Sequence, residues 1–470
     1  MSTFNRRLAA RVGAPLGIAA TAVLLRVITG VGFANYDTLY ALAWGGQLSR
    51  GSTPAYSVAI APTPHPLLEL LGLVLAPLGP HAVVSVTVAI GLLALAACAW
   101  VVYRLGAHWF GWPAGALAGL VFITRGEVLS YGVRAYVDIP YLLLVLCALL
   151  LETRRRRAGA PVLALLALAG LLRPEAWAFS GLYWLYLRDH RNPRLLALAA
   201  SAPLVWVLSD LAITGNPLWS LTNTQHTAET LHRHTGIANV PEYIPRRIGE
   251  ILSAPVLLGA AVGGLLSLWW LRRSALLGAA VGVIAVVVFA VFASVGLPIN
   301  TRYAFLAAAI LCVFCGAGVF GWTRLPRGDR RRRWWMAASV VVLVALIAYT
   351  PSQYRTAHRQ MVELARQQSI EGDLLALVHS HAINLRCGPV GVPNHAPIPL
   401  LSLYLETSPR NIVSLQSGHI DSGVYVDPAS KQVEADYVLD PDDPHETVSV
   451  PPGFTEASTN RSWLIFQRCE

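Results

Sequence analysis

The sequence predicts an α-helical polytopic membrane protein that ends in a small α/β domain, and three observations predict it. Hydrophobic residues make up 55% of the chain and charged residues only 13%, about half of the roughly 25% charged residues of an average soluble protein. Apolar runs long enough to span a bilayer are separated by short arginine-rich loops, the pattern that marks the cytoplasmic side. The final stretch breaks with this pattern: residues 351–470 hold fourteen acids against eight bases, whereas residues 1–350 hold twelve acids against twenty-eight bases. The membrane part is therefore basic, at +16, and the tail acidic, at −6, which together make the net charge of +10. No basic face is large enough for nucleic acid.

The first span is the apolar run 14–33. It follows Arg6, Arg7 and Arg11 and has no small-residue cleavage site before Asn35, so it reads as a signal anchor with a cytoplasmic N-terminus. A long outer loop, 34–80, contains a helical stretch around Asp37–Arg50 and an apolar helix from Pro66 to about Leu78. The second of these rises only about 20 Å and is expected at the interface. Spans follow at 82–104, 108–124 and 139–152, the last stopping on Arg154–Arg157, which fix that loop inside.

The stretch 160–187 reads as two short helices meeting at Arg173-Pro174-Glu175. One long helix would place Arg188, Arg191 and Arg194 outside, and Pro174 disrupts a helical ladder. Arg173 and Glu175 then sit recessed, which only a protein-lined cavity tolerates. The remaining spans are 195–213, 252–271, 275–296, 303–321 and 336–350, giving about eleven spans in a membrane domain of residues 1–350. Arg272, Arg273, Arg324, Arg327 and Arg330–Arg333 lie in inner loops, and 214–250 and 297–302 are outer loops.

The extracytoplasmic domain, 351–470, opens with a helical pattern at 353–380. Strands are expected at the apolar runs 388–392, 411–415, 435–439 and 463–467, with a helix near 398–406. Cys387 opens the first candidate strand and Cys469 closes the last. As the tail's two cysteines in an oxidising setting, they are expected to form a disulfide between neighbouring antiparallel strands; two free thiols are the alternative. Cys98, Cys147, Cys312 and Cys315 lie in apolar spans and read as small core residues.

Acids are rare in the membrane part, and carboxylates near a bilayer are costly enough to be kept for function. Three lie on the outer side: Asp37 in Asn35-Tyr36-Asp37, Asp138 in Tyr136-Val137-Asp138-Ile139-Pro140, and Glu175 beside Arg173-Pro174. Arg134, Arg173 and Arg302, in Thr301-Arg302-Tyr303, lie on the same side. An acid just after the first span, an Asp at the start of a later span, a short-helix pair and a soluble C-terminal domain resemble the GT-C glycosyltransferases. Within that superfamily the chain is similar to the protein O-mannosyltransferase and aminoarabinose-transferase branch and to actinobacterial cell-wall glycosyltransferases.

The resemblance implies inverting transfer of a sugar from a polyprenyl-phosphate donor to a hydroxyl of a glycan, lipid or protein acceptor. The reaction would run at the outer face of the plasma membrane, in envelope glycan or glycoconjugate synthesis. It implies Asp37 as the general base. Arg173, Arg302 and Arg134 become candidates for the donor phosphate, which suits the guanidinium fork. Asp138, Glu175, Tyr136 and His65 become substrate contacts. Each has a plainer reading. Asp37 or Asp138 can cap the helix that follows it, and Asp138 can otherwise meet acceptor or metal. Arg173 and Glu175 can pair with each other, and Arg302 can snorkel to lipid headgroups. His65, in Thr63-Pro64-His65-Pro66, can be part of a turn. Asp210 reads as a structural partner for an arginine.

Relatives often carry two adjacent acids in the first loop, whereas Thr38 follows Asp37 here. A divalent cation is therefore not favoured, and no cofactor is expected. His226, His232 and His234 approach zinc spacing but read as unliganded loop residues. The alternative function is a transporter or flippase of polyprenyl-linked sugar intermediates. That class often shows internal pseudo-symmetry and midplane sites, and neither is evident here.

Overall fold

A computed structural model describes residues 3–187, 189, 192–439 and 449–469. The chain forms two compact units: Met1–Gly30, Ala89–Leu204 and His234–Gln360 make the first, and Val31–Val88, Val205–Arg233 and Met361–Glu470 the second. The helices are α1 (Thr3–Thr29), α2 (Tyr36–Ser49), α3 (Pro66–Leu75), α4 (Pro80–Phe110), α5 (Trp112–Ile123), α6 (Gly126–Val133), α7 (Asp138–Arg154) and α8 (Ala160–Gly170). They continue with α9 (Glu175–Tyr186), α10 (Pro193–Thr214), α11 (Trp219–Thr230), α12 (Val240–Trp270), α13 (Arg272–Ser294), α14 (Phe305–Phe320), α15 (Arg330–His379), α16 (Ile398–Tyr404) and the short α17 (Lys431–Val433).

The chain is a polytopic membrane protein, and among the described residues six helical stretches are long and apolar enough to cross a bilayer. These are Pro80–Phe110, Pro193–Thr214, Ile237–Trp270, Arg272–Ser294, Thr301–Arg324 and Arg330–His379; α5 and α6, bent by 63°, make a seventh if they form one broken span. The expected count of eleven is not confirmed. The helices α8, α9 and α7 have 11, 12 and 17 residues. At 1.5 Å per residue none reaches more than about 26 Å, short of a hydrocarbon core of about 30 Å. Alternation of arginine loops suggested a crossing wherever an apolar run occurred, and length does not support each one.

The break expected at Arg173-Pro174-Glu175 is present: α8 ends at Gly170, and α9 begins at Glu175. The break expected after residue 350 is absent. The segments 336–350 and 353–380 are parts of α15, 50 residues long with Pro351 inside it. In the first unit α14 is the central helix, buried along most of its length from Phe305 to Val319. It can be so because α12 meets it on small residues: a Cβ at Gly263 would collide with the Phe314 carbonyl. Close backbone approach of this kind is how helices pack where lipid and side chains are equally apolar.

The second unit contains a five-stranded sheet: β1 (Val390–Val392), β2 (Ile412–Ser414), β3 (Gly423–Pro428), β4 (Thr455–Thr459) and β5 (Trp463–Arg468). The order is β2-β1-β3-β5-β4, with β1 parallel to β2 and β3, and β5 antiparallel to β3 and β4. The run 435–439 is not a strand; Glu434–Val438 is a π-helical turn continuing α17, and it buries Val438. The sequence reading lacks β3 and β4, because β3 has only three consecutive apolar residues, Val424–Val426, and β4 is almost wholly polar. Trp463 of β5 is fully buried and donates its Nε1–H to the Ile370 carbonyl (3.0 Å), anchoring the sheet on α15. The same core takes in Leu39, Tyr40, Leu42, Ala43 and Trp44 of α2 together with Leu400, Leu401 and Leu403 of α16.

Cys387 and Cys469 form a disulfide, with Cα atoms 4.8 Å apart. Their strands are not neighbours, as the sequence reading supposed, because β3 lies between β1 and β5. The bridge passes the start of β3, where Gly423 pairs with Arg468 and its carbonyl oxygen lies 3.4 Å from the Cys387 Sγ. Gly388 and Gly423 make room: both have positive φ (131° and 119°), and a Cβ on Gly388 would stand 3.2 Å from the Gly423 Cα. Closing a loop of 82 residues should stabilise the tail by about 4 kcal/mol in the chain-entropy account. A Cys387→Ser, Cys469→Ser chain should therefore melt its tail at lower temperature under oxidising conditions. Melting unchanged from the oxidised parent would show that the tail folds without the bridge.

Candidate active site

In the second unit, the candidate base stands at the start of a well-capped helix. Asn35 has extended backbone and its side-chain oxygen accepts the Thr38 amide at 3.0 Å, so Asn35 is the N-cap of α2. The capping reading of Asp37 therefore falls. Asp37 lies half-buried in the first turn, where the helix dipole favours a carboxylate. Tyr36 beside it donates to the Ile60 carbonyl (3.0 Å) and meets Tyr40 and His395 edge-on, with ring centroids 5.0 and 5.4 Å away. These contacts hold the first turn of α2 against the loop that follows it.

His65 is buried at the N-cap of α3, with its ring edge-on to Trp206 at 6.3 Å. Its backbone N–H donates to Glu69 Oε1 (3.2 Å), and the Tyr56 hydroxyl donates to Glu69 Oε2 (2.5 Å). One carboxyl thus closes the loop between α2 and α3 at two points, in the manner of a capping box. The sequence reading missed Glu69; its signal was a lone acid inside the apolar run Pro66–Leu78. Burial pushes the Glu69 carboxyl up to about 7 from an ordinary 4.5, against the lowering effect of its two hydrogen bonds.

The folded chain therefore holds this proton where the unfolded chain has released it. The stabilisation is complete below pH 4.5 and is lost as pH rises through 7, on the order of 3 kcal/mol over that window. Glu69→Gln should flatten this part of the melting-temperature profile measured from pH 4 to pH 8. A variant profile parallel to the parent's would refute it. Among the described residues Asp210 meets Ser220 and not the arginine that was expected. Its two oxygens accept the Ser220 amide and hydroxyl, each at 2.8 Å, which ties α10 to α11.

In the first unit, Asp138, Arg173 and Glu175 come together. Arg173 sits in the break between α8 and α9, its Nη1 2.5 Å from Asp138 Oδ1, its Nη2 2.8 Å and its Nε 2.9 Å from Glu175 Oε1. All three residues are at most 5% exposed. Asp138 is the first residue of α7, and the position before it, Val137, makes no side-chain cap. The Asp138 carboxylate is thus used on Arg173. The pairing of Arg173 with Glu175 is present, within this larger group.

The turn Thr301–Ala304 brings Arg302 and Tyr303 to the same place. The Arg173 guanidinium lies 4.6 Å from the centre of the Tyr303 ring and that of Arg302 5.9 Å, both within cation–π range. Arg134 stands over Tyr136 at 4.8 Å and Tyr131 at 5.5 Å, and it donates to the Ser130 hydroxyl at 2.8 Å. Tyr131 in turn meets Phe305, the residue after the 301–304 turn, at 4.8 Å. A guanidinium fixed by two carboxylates, with a second arginine against the same aromatic ring, forms a rigid, charge-balanced centre that holds its guanidinium groups in place. Such a centre suits a phosphate oxygen. Among the described residues no group of three or more His, Cys, Asp and Glu could hold a metal ion.

No protein-family model matches the chain, and no curated protein matches it. Among solved structures it is similar to ArnT from Cupriavidus metallidurans bound to undecaprenyl phosphate, with a TM-score of 0.59 and 15% identity over 97% of this chain and 98% of that one. The apo form of the same protein gives a TM-score of 0.53 at 14% identity, with the same coverage. At such identity the likeness shows a shared fold, and it spans both chains almost from end to end.

Proposed function

We propose that this chain is an integral membrane glycosyltransferase of the GT-C type. It moves a sugar from a polyprenyl-phosphate donor to a hydroxyl acceptor at the outer face of the plasma membrane, with inversion. The observation that carries the reading is the full-length likeness in fold to a protein crystallised with undecaprenyl phosphate. In this reading the N-terminus is cytoplasmic, residues 1–350 carry out the transfer and residues 351–470 lie outside. The product enters an envelope glycan or glycoconjugate.

Asp37 takes the proton of the acceptor hydroxyl as it attacks the anomeric carbon. The carbon–oxygen bond to the lipid phosphate breaks, and the phosphate leaves as an anion. Arg173 and Arg302 offset that charge, with Arg134 beside them; a fixed guanidinium is effective because it needs no reorganisation as charge develops. Asp138 and Glu175 hold Arg173 in orientation, while His65 and Tyr136 contact substrate.

The test is turnover by the purified full chain in lipid nanodiscs. Labelled polyprenyl-phosphate sugars are supplied with a cell-envelope fraction from a strain lacking the chain. Release of free polyprenyl phosphate together with label in the acceptor fraction is the expected result. A flippase would move the lipid across the membrane of a proteoliposome without releasing phosphate, and that outcome would replace the glycosyltransferase reading.

A further inference from the structure

Helix α12 is two helices joined at a strained residue. Its N-terminal half carries Arg246, Arg247 and Glu250, and its C-terminal half is apolar. Between them Ser253 has φ 64° and ψ 158°, a region almost confined to glycine, and Pro255 lacks an amide for the ladder. Strain of this kind persists only where the surroundings impose it. Arg125 does so here. It is 7% exposed, and its Nη1 donates to the Leu252 carbonyl (3.2 Å), the Ser253 hydroxyl (3.3 Å) and Gln353 Oε1 (3.1 Å). Its Nε donates to the Val121 carbonyl at 2.9 Å. These acceptors are neutral, so this buried guanidinium is given over to the joint.

What the joint sets is the grip of the N-terminal half on residues 297–302. Glu250 accepts from Arg247 Nη1 (3.0 Å), Arg246 Nε (3.3 Å) and the Thr301 hydroxyl (3.1 Å). Arg247 Nε donates to the Ile299 carbonyl (3.1 Å), while the Ile299 amide donates to the His234 carbonyl (2.8 Å). The segment is thus fastened at Ile299 and Thr301, immediately before Arg302. Exposed ion pairs within one helix add little stability. Glu250 and Arg247 contribute geometry instead, because each also reaches a loop some fifty residues away in sequence.

We propose that Glu250 and Arg247 are positioning residues that hold the Thr301–Ala304 turn so that Arg302 meets the donor phosphate. The strained joint at Ser253, braced by Arg125, sets where they stand. This rests on the assignment of Arg302 to the donor, and the experiment separates the two. Full-length chain in nanodiscs is examined in parent form and as Glu250→Ala, Thr301→Val and Thr301→Ser. Two readouts are taken: amide hydrogen exchange of residues 299–304, and affinity for undecaprenyl phosphate by tryptophan fluorescence.

Glu250→Ala and Thr301→Val should speed exchange in the turn about tenfold and weaken undecaprenyl phosphate binding about 5- to 10-fold, the scale of one ordinary hydrogen bond net of its exchange with water. Thr301→Ser, which keeps the hydroxyl, should restore both. Parent-like exchange in Glu250→Ala and Thr301→Val overturns the fastening. Faster exchange with unchanged affinity overturns the positioning role and leaves the proposed function standing. A parent chain that does not bind undecaprenyl phosphate refutes the proposed donor, and the positioning role with it.

Discussion

Asp37→Asn should lower sugar transfer at least about 100-fold while leaving the fold and donor binding close to those of the parent. The substitution is nearly isosteric, and it leaves in place the cap of α2, which Asn35 supplies through the Thr38 amide. Nor does it disturb the aromatic contacts of Tyr36 with Tyr40 and His395. What it removes is the capacity to accept a proton at neutral pH. Melting temperature and undecaprenyl phosphate affinity measured beside the turnover rate separate this from a folding defect. Transfer at the parent rate would end the assignment of Asp37 as base.

Arg173→Ala should be the most destabilising single change in the first unit. It leaves Asp138 and Glu175 facing each other, each at most 5% exposed, and removing one partner of a buried ion pair costs about 3–5 kcal/mol. Arg173→Lys keeps the charge but cannot span both carboxylates with a planar fork, so its loss should be intermediate. Asp138→Asn with Glu175→Gln in the Arg173→Ala background should recover much of the stability, because the uncompensated charges are gone. Donor affinity should follow a different order. It should be lower in Arg173→Ala than in Arg173→Lys and should not return in the triple variant. Recovery of affinity along with stability would make Arg173 a structural residue only.

The parts of the fold legible in the sequence are those that depend on local rules. Pro174 between two short apolar runs located the break at Arg173, and apolar runs in the tail located β1, β2 and β5. The continuity of α15 through Pro351 was not legible, because one lost hydrogen bond in a helix of 50 residues is outweighed by the others. Partnerships over distance were not legible either. Asp138 and Arg173 lie 35 residues apart, and neither flanking sequence names the other. Ser220 was not foreseeable as the partner of Asp210, since a backbone amide and a hydroxyl can serve a carboxylate as well as an arginine does. Glu69 could have been flagged, as a single acid in an apolar helix. Its partners Tyr56 and His65 lie in a loop that obeys no periodicity.

The helix that bears Asp37 shares its core with the tail: Tyr40 and Trp44 lie among Leu400, Leu401 and Leu403, and Gln47 reaches the Ser408 hydroxyl (3.3 Å) across 361 residues of chain. During synthesis α2 is therefore made long before the side chains that enclose it. At roughly 5–20 residues per second, this interval is roughly 20–70 s. Throughout it Tyr40 and Trp44 lack the share of their cover that the tail supplies. A chain that stops early is left with Asp37 on a helix whose core is incomplete. On the proposed function, completion of the last hundred residues is thus a condition for Asp37 to act as base.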